Sequence, residues 1–376
     1  MKIKEKHARI KLALPLAAAL LLPGTALAAT NLQPSDAHLP EKAQENALES
    51  RLPTAGGGSA AATFRLSRID VEQDGTQLSA AALDERTAPY LRRTLSEADI
   101  NALLAELTQY ARSHGYPAAA AYLPPQTNAD GALTIRILAG RYGKISIDNS
   151  AAIDDGQIRR LAHALHTGAP IEGRRLEKAL YNIAALGGIE AAGLLSPGAD
   201  FGTSDLTIRV RDGKRQSFVL YSENYGSKSS GRYRYGAQHS IYNVDGMGSK
   251  VNVGALISNK SLHNYYVNYE ALVGHGGTSL GIGYSRMDYE VGGPLKRLGA
   301  HGTADTISVY GSRPVYHTTD EKLALTYGYD YRRLKDDMDL FGAQGASEKH
   351  SHDLHAGVEG FWRDRKSGLS LNYNFV

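Results

Sequence analysis

Beyond Ser217 the chain alternates apolar and polar residues with a period of two, segment after segment, with no helical stretch between the segments. Tyr233, Tyr235, Ala237 and Ile241 alternate with Arg232, Arg234, Gln238 and Ser240, and Val251, Val253, Ala255 and Ile257 alternate with Asn252, Gly254 and Ser258. Successive side chains of a strand face opposite sides, so each segment is predicted to be a strand with one apolar and one polar face. A soluble sandwich would alternate in the same way, and strand length and aromatic placement separate the two. His263 to Val273 and Lys322 to Arg332 each run about ten residues, the length a tilted strand needs to cross a bilayer. Sixteen of the 22 tyrosines lie beyond Gly213, near strand ends or on the apolar face, where a membrane barrel carries its aromatic girdles. The pattern predicts nine transmembrane strands, beginning near Ser217, Arg232, Ser249, Leu262, Thr278, Thr303, Lys322, Asp353 and Ser367.

Upstream the period changes. Lys2, Lys4, Lys6, Arg9 and Lys11 form a basic region, Leu12 to Leu22 an apolar one and Ala26-Leu27-Ala28 a small-residue cleavage pattern, which together read as a secretory signal peptide over residues 1–28. Residues 29–62 are poor in large apolar side chains and carry Pro34, Pro40, Pro53 and Gly56-Gly57-Gly58, a linker composition. Pro40 to Leu52 within it is a candidate short polar helix. Residues 63–213 carry an internal repeat, seen by laying Leu133-Thr134-Ile135-Arg136-Ile137 over Leu206-Thr207-Ile208-Arg209-Val210.

Each copy reads β-α-α-β-β. In the first (63–140), Phe64 to Val71 is a strand, Leu83 to Leu91 a short helix and Ser96 to His114 a longer one, with Ala118 to Leu123 and Leu133 to Leu138 as strands. Ser96 is placed to cap the long helix with Asp99 three residues on, Ile100, Leu103, Leu104, Leu107 and Tyr110 share one face, and Gly115 follows its end. In the second (141–213), Gly143 to Asp148 is the strand, Asp154 caps a helix with Gln157 at the box position, and Leu176, Leu180 and Ile183 line the next helix, ended by Gly187-Gly188. Ile189 to Leu195 and Leu206 to Arg211 close the unit.

Two such units between a signal peptide and a membrane sheet resemble POTRA domains, and the whole resembles the two-partner secretion transporters of the haemolysin-activator type. The residues carrying the resemblance are Phe64, Ile69 and Val71, His114-Gly115-Tyr116, Leu123-Pro124-Pro125-Gln126, Gly131-Ala132-Leu133 and Ala139-Gly140-Arg141. In the strand region, Gly231 to Gly236 leading to Asn243-Val244-Asp245-Gly246-Met247-Gly248 resembles the family's first hairpin, and Ser312-Arg313-Pro314 a later turn. The resemblance implies α+β POTRA domains followed by an antiparallel transmembrane β-barrel over 214–376, with about nine of the family's sixteen strands present and so a truncated barrel. It implies a periplasmic POTRA pair that captures one unfolded secreted partner of haemolysin or filamentous-adhesin type and passes it through the outer membrane without cofactor or nucleotide. Pro40 to Leu52 then becomes a candidate plug helix. The alternative, an assembly factor of the wider POTRA-barrel superfamily, usually carries more than two POTRA units, so two favour secretion.

With the POTRA units in the periplasm, connections near Gly226, Ser258, Asp288 to Ala300 and Leu334 to His352 are expected outside the cell. Asp245-Gly246, Gly276-Gly277, Pro314 to Asp320 and Asp364 to Gly368 are expected on the periplasmic side. The predicted client groove of the first unit is formed by Leu103 and Leu107 on the helix with Ala120 and Tyr122 on the neighbouring strand. Arg232, Arg234, Gln238, Asn252, Glu270, Lys322, Arg332, His355 and Glu359 are predicted to face the lumen.

Composition narrows the chemistry. Cysteine is absent, which removes disulfides, thiolate metal sites and thiol catalysis, and a net charge of +3 is too small to argue for nucleic acid. His350, His352, Asp353 and His355 are metal-ligand types at close spacing, but strand alternation puts His355 on the face opposite His350 and His352. Neither a Gly-Lys-Ser/Thr phosphate loop nor a Gly-x-Ser-x-Gly elbow stands in a fitting context, so no catalytic, metal or cofactor site is predicted.

Overall fold

The computed structural model describes residues 63–126, 131–227, 230–292, 296–297, 299–340, 346–364 and 367–376. The signal peptide, the linker and the candidate plug helix Pro40 to Leu52 lie outside the described residues.

The first unit runs β1 (Thr63–Arg65), β2 (Arg68–Asp74), α1 (Ala80–Thr87), β3 (Thr94–Ser96), α2 (Glu97–Ser113), β4 (Ala120–Tyr122) and β5 (Ala132–Leu138). Its sheet has the order β2-β5-β4, with β2 parallel and β4 antiparallel to the central β5. The single opening strand expected over Phe64 to Val71 is broken at Leu66-Ser67. Leu66 turns into the core at 1% exposure, Ser67 donates its N–H to Gly131 O at 2.8 Å, and β1 is left to pair with β3. The long helix begins where its end signals put it. The Ser96 hydroxyl accepts from Asp99 N at 3.2 Å while the Asp99 carboxylate accepts from Ser96 N at 2.8 Å, so two otherwise orphaned donors are satisfied reciprocally. These bonds from the Ser96 backbone and hydroxyl hold the Asp99 carboxyl below its usual range.

The second unit repeats the order with β6 (Arg141–Asn149), α3 (Asp155–Leu161), α4 (Gly173–Ala184), β7 (Ile189–Pro197) and β8 (Thr203–Asp212), in a sheet ordered β6-β8-β7. Asp154 caps α3 through Gly156 N at 2.8 Å, but the expected box does not form, because the Gln157 side chain accepts from Arg160 Nη2 at 2.6 Å instead. Each unit buries its own apolar cluster, Leu95, Leu103, Leu107, Ile135 and Ile137 in the first and Ile158, Ile171, Leu176, Ile183, Leu206 and Ile208 in the second. Backbone bonds join the two: Ile171 N donates to Gly140 O at 2.9 Å and Gly173 N to Gly115 O at 2.8 Å.

Nine strands then follow as one antiparallel meander: β9 (Gln216–Glu223), β10 (Arg234–Tyr242), β11 (Lys250–Ser258), β12 (His263–Val273), β13 (Thr278–Glu290), β14 (Ala300–His317), β15 (Glu321–Met338), β16 (Ser347–Asp364) and β17 (Leu369–Phe375). Each pairs with its sequence neighbours, and β9 and β17 are the edges of the sheet among the described residues. Strand number agrees with the alternation pattern, but the long outer loop expected over Leu334 to His352 is mostly ladder, since β15 runs to Met338 and β16 starts at Ser347. Polar residues at alternate positions of an extended, water-exposed hairpin look like loop in sequence. Cross-strand packing also explains some glycines: a Cβ at Gly254 would collide with the ring of Tyr266, its direct neighbour on β12.

Ser96→Ala is expected to cost about 1 kcal/mol of first-unit stability, the usual worth of an N-cap, read as a shift in urea midpoint at constant slope. Because the Asp99 pKa is depressed in the folded state, its contribution is complete above the ordinary carboxylate range and lost as pH falls through the lowered folded value. Asp99→Asn should flatten that acid limb, and an unchanged limb would contradict the capping account.

Candidate functional site

Register sorts the strand side chains onto two faces without ambiguity. On the outer face one cross-strand row reads Tyr269, Ile282, Val309, Tyr329, Leu354, and the row above it Val267, Tyr284, Ile307, Tyr331, His352. The next row is charged: Tyr265, Arg286, Asp305, Arg333, His350. Apolar side chains on this face stand open, Leu220 at 71%, Ile282 at 55% and Leu354 at 85% exposed. Along β15 the apolar run is Leu323, Leu325, Tyr327, Tyr329, Tyr331. Such a run spans roughly 25–30 Å of strand and about 20 Å along the normal at barrel-like tilt, close to the apolar band of outer-membrane barrels. The charged row marks its outer limit, where Tyr284 Oη donates to Asp305 at 2.7 Å and Arg286 lies 3.7 Å from Asp305. Beyond that limit β14, β15 and β16 continue as a projecting sheet.

The inner face carries all but one of the residues predicted to line the lumen. Tyr266 Oη donates to Gln238 Oε1 at 2.8 Å, Gln238 Nε2 to Ser240 Oγ at 3.2 Å and Ser240 Oγ to Asn252 Oδ1 at 2.6 Å, a chain of neutral amides and hydroxyls. Charges stand beside opposite charges: Arg234 with Glu223 at 3.3 Å, Lys322 with Glu359 at 3.1 Å and Arg332 with Asp353 at 3.7 Å. His355 lies 3.7 Å from Asp330, and Glu270 sits opposite Lys250 in the ladder. Arg232 is the exception. It lies in the bend before β10 and is exposed, because the strand starts two residues later than the alternation suggests. The histidine cluster is divided by the strand as expected: His350 and His352 face outward against Tyr331 and Tyr329, and His355 faces inward.

Of the predicted client groove, β4 is indeed an edge strand carrying half-buried Ala120 and Tyr122. Leu103 and Leu107, however, are fully buried at 0% exposure in the first core, so they cannot touch a client of the folded domain. Helical periodicity identifies the apolar stripe of α2 but does not say that its centre is covered by the sheet. The flank of α2 that meets β4 is formed by Thr108 and Arg112: Ala121 N donates to Thr108 Oγ1 at 2.9 Å, and Arg112 Nε donates to Ala119 O at 3.0 Å.

A joint between the second unit and the periplasmic turns was not foreseen from sequence. Three turns touch α3, α4 and the segments around them. Asp154 N donates to Gly246 O at 3.1 Å and Asn243 Nδ2 to Ala152 O at 2.6 Å; Arg160 reaches Leu272 O at 3.0 Å and also bonds Gly274 O; Lys178 Nζ donates to Val315 O at 2.9 Å and Tyr181 Oη to Thr319 Oγ1 at 3.1 Å. Tyr181 stacks on His317 with ring centroids 4.2 Å apart, and His317 in turn meets Phe361 edge-on. Gly248 holds φ +80 with Leu186 so close that a Cβ there would lie 2.7 Å from it. All three turns were assigned to the periplasmic side by the expected topology, and their shared docking on one unit accounts for that assignment.

Tandem βααββ units joined to an antiparallel sheet with an open apolar outer face define the POTRA-plus-barrel class of membrane proteins. Two family models match within the chain: the POTRA domain, ShlB-type, over residues 64–140 and the haemolysin secretion/activation protein ShlB/FhaC/HecB over residues 202–340. Over these two stretches the chain is similar to the ShlB/FhaC/HecB family of haemolysin secretion/activation proteins. It is 29% identical over 283 residues to the heme/hemopexin transporter protein HuxB of Haemophilus influenzae, covering 75% of this chain and 50% of that protein. To the outer membrane transporter CdiB of Escherichia coli it is 23% identical over 324 residues, covering 81% and 54%. The chain thus spans about half the length of the curated relatives it matches. Among solved structures, CdiB from Escherichia coli superposes with a TM-score of 0.61 at 22% identity over 84% of this chain and 59% of that one. CdiB from Acinetobacter baumannii gives 0.54 at 16% identity over 85% and 62%. These likenesses show the same fold.

Leu107→Ala should destabilise the first unit by about 2–5 kcal/mol, as expected for a cavity in a closed core. Calorimetry would show this as a lower unfolding temperature for that unit. A variant of unchanged stability would mean that Leu107 is a surface residue after all.

Proposed function

We propose that this chain acts in the outer membrane as the transporter of a two-partner secretion system: POTRA units in the periplasm receive an unfolded exoprotein, which crosses through the barrel to which the nine strands belong. The observation that carries the reading is the outer face of the sheet, apolar over one bilayer height and bounded by a charged row, on strands whose periplasmic turns are docked on a POTRA unit. Only hydrocarbon satisfies such a face. The inner wall suits passage of a chain of varied sequence, since its ion pairs compensate charge locally and Gln238 and Asn252 are tied to neighbouring hydroxyls, leaving no stripe of one sign among the described residues to arrest a client.

The partner is a large secreted exoprotein of haemolysin or filamentous-adhesin type, and the contacting lipid is that of the outer membrane. Residues 1–28 serve as the export signal, 29–62 as a linker, 63–140 and 141–213 as the POTRA pair and 214–376 as barrel wall. Transport is favoured over an assembly-factor role by the names of the relatives, both transporters, and by the two POTRA units.

Client docking belongs on the first unit. On the second, Glu177, Lys178 and Tyr181 of α4 are held by the turn 315–319, whereas among the described residues no barrel turn bonds to α2. Strand addition at β4 would exchange the Thr108 bond to Ala121 N for a client carbonyl, and Arg112 Nη2, buried without a hydrogen-bond partner among the described residues, stands ready for a second. Since Ala121 N points to Thr108, it lies outside the β4–β5 ladder, and proline there removes an edge donor while sparing the sheet.

Ala121→Pro is expected to lower export of the partner at least about tenfold in a host secretion assay, with outer-membrane insertion of the transporter unchanged. Normal export by a correctly inserted variant would refute docking at β4, and normal export by cells lacking the protein altogether would refute the transport role.

A further inference from the structure

Within residues 63–213 the only large hydrophobic side chains of the described residues that stand open to water are Leu123, at 39% exposure, and Phe201, at 78%. They come from different POTRA units and meet at one place. Phe201 packs edge-on against Tyr122, with ring centroids 5.1 Å apart, and Leu123 is the next residue of the chain, where β4 ends. Two exposed apolar residues in about a hundred and fifty would seldom coincide beside a sheet edge by chance, and isolated open aromatics are usually kept for a partner.

Phe201 is held, not loose. It sits in a tight turn where Thr203 N donates to Asp200 O at 3.1 Å and Thr203 Oγ1 to the same oxygen at 2.6 Å. On its other side Gly202 O accepts from Arg141 N at 2.9 Å, at the seam between the units. The ring is therefore presented by a rigid mount, and little side-chain freedom remains to be lost on binding. Around it the surface is polar: Arg136, on the strand facing Tyr122, is ion-paired with Glu72. An aromatic centre inside a polar rim is the arrangement of binding hot spots.

We propose that Tyr122, Leu123 and Phe201 form a composite anchor, shared by both POTRA units, for an apolar side chain of the unfolded client, so that recognition begins across the seam of the pair. Its size selects the occupant. A folded partner needs about 800 Å² on each side, far more than three side chains supply, whereas an extended segment needs only one pocket beside a strand edge. The patch is continuous with the β4 edge, so one client segment can pair with the edge and place a side chain on Phe201. The sites differ in what they read: the edge accepts any backbone, and the anchor demands an apolar residue in register with it. This inference rests on the transport reading, which makes the client an unfolded polypeptide.

The test uses the detergent-solubilised chain and two fluorescent peptides without structure in solution, one alternating apolar and polar residues and one with every apolar position replaced by serine. Wild type should bind the apolar peptide more tightly than the serine peptide. Phe201→Ser should weaken the apolar peptide about tenfold and leave the serine peptide unchanged, and Phe201→Leu should restore most of the difference. If wild type binds the apolar peptide but Phe201→Ser binds it equally well, the anchor is overturned while the transport reading stands. If wild type binds neither peptide, the POTRA pair is not a client receptor and both fall. Equal weakening of both peptides by Phe201→Ser would mark a strut between the units instead of an anchor, and would also overturn the proposal.

Discussion

Everything in the membrane-facing half follows from the need to satisfy backbone polar groups in a medium that offers none. A strand placed in hydrocarbon must find its N–H and C=O partners on neighbouring strands, and the nine-stranded meander supplies them by pairing each strand with the next in sequence. Once the ladder exists, the pleat forces alternate side chains outward, so the lipid face has to be apolar wherever the ladder lies within the bilayer. The composition of each strand obeys this along its central stretch and departs from it beyond the row of Arg286, Asp305 and Arg333. The same constraint leaves the inner face free to be polar, and its amide chain and compensated ion pairs need not contribute much to stability to be useful.

The POTRA units obey water's version of that rule. Each buries a closed apolar cluster between two helices and a three-stranded sheet, and each therefore hides the residues its helical stripe makes most conspicuous, Leu103 and Leu107 among them. What remains available is a flank and a seam. The flank of α2 caps the edge of β4, and the seam brings Phe201 of the second unit against Tyr122 of the first. On the second unit the equivalent helix is committed to the barrel through Glu177, Lys178 and Tyr181. Two units of one architecture are thus put to different uses, one fastened to the membrane sheet and the other left open to the periplasm.

The contacts between α4 and the strand turns also link distant parts physically. Tyr181 stacks on His317, and His317 touches Phe361 on the inner wall of β16, so a displacement of α4 would be felt at the lumen surface. The link is short, aromatic and close to the pivot of the second unit. Bonds to the carbonyls of Gly246, Leu272 and Val315, from Asp154 N and the Arg160 and Lys178 side chains, surround it on three turns, which spreads load over the joint and keeps the second unit in one orientation beneath the strands.

The chain by itself determined most of what depends on local periodicity or on a cap, the unformed box at Asp154 and the break at Leu66-Ser67 being the exceptions. Period-two alternation identified all nine strands and placed all but one of the predicted lumen residues on the inner face, because side-chain direction in a strand is set by the pleat alone. Ser96 and Asp99 marked the start of α2 because both partners of the box lie within one turn. Sequence also read the extended arms of β15 and β16 as loop, since a ladder wet on both faces loses the apolar signal that distinguishes it. Tertiary structure alone decided which apolar residues are closed off and which polar ones meet: the burial of Leu107, the capture of Ala121 N by Thr108, the joint at α4 and the pairing of Phe201 with Tyr122. Each brings together residues separated by a turn, a strand or a whole domain, and no period along the chain encodes a distance across it.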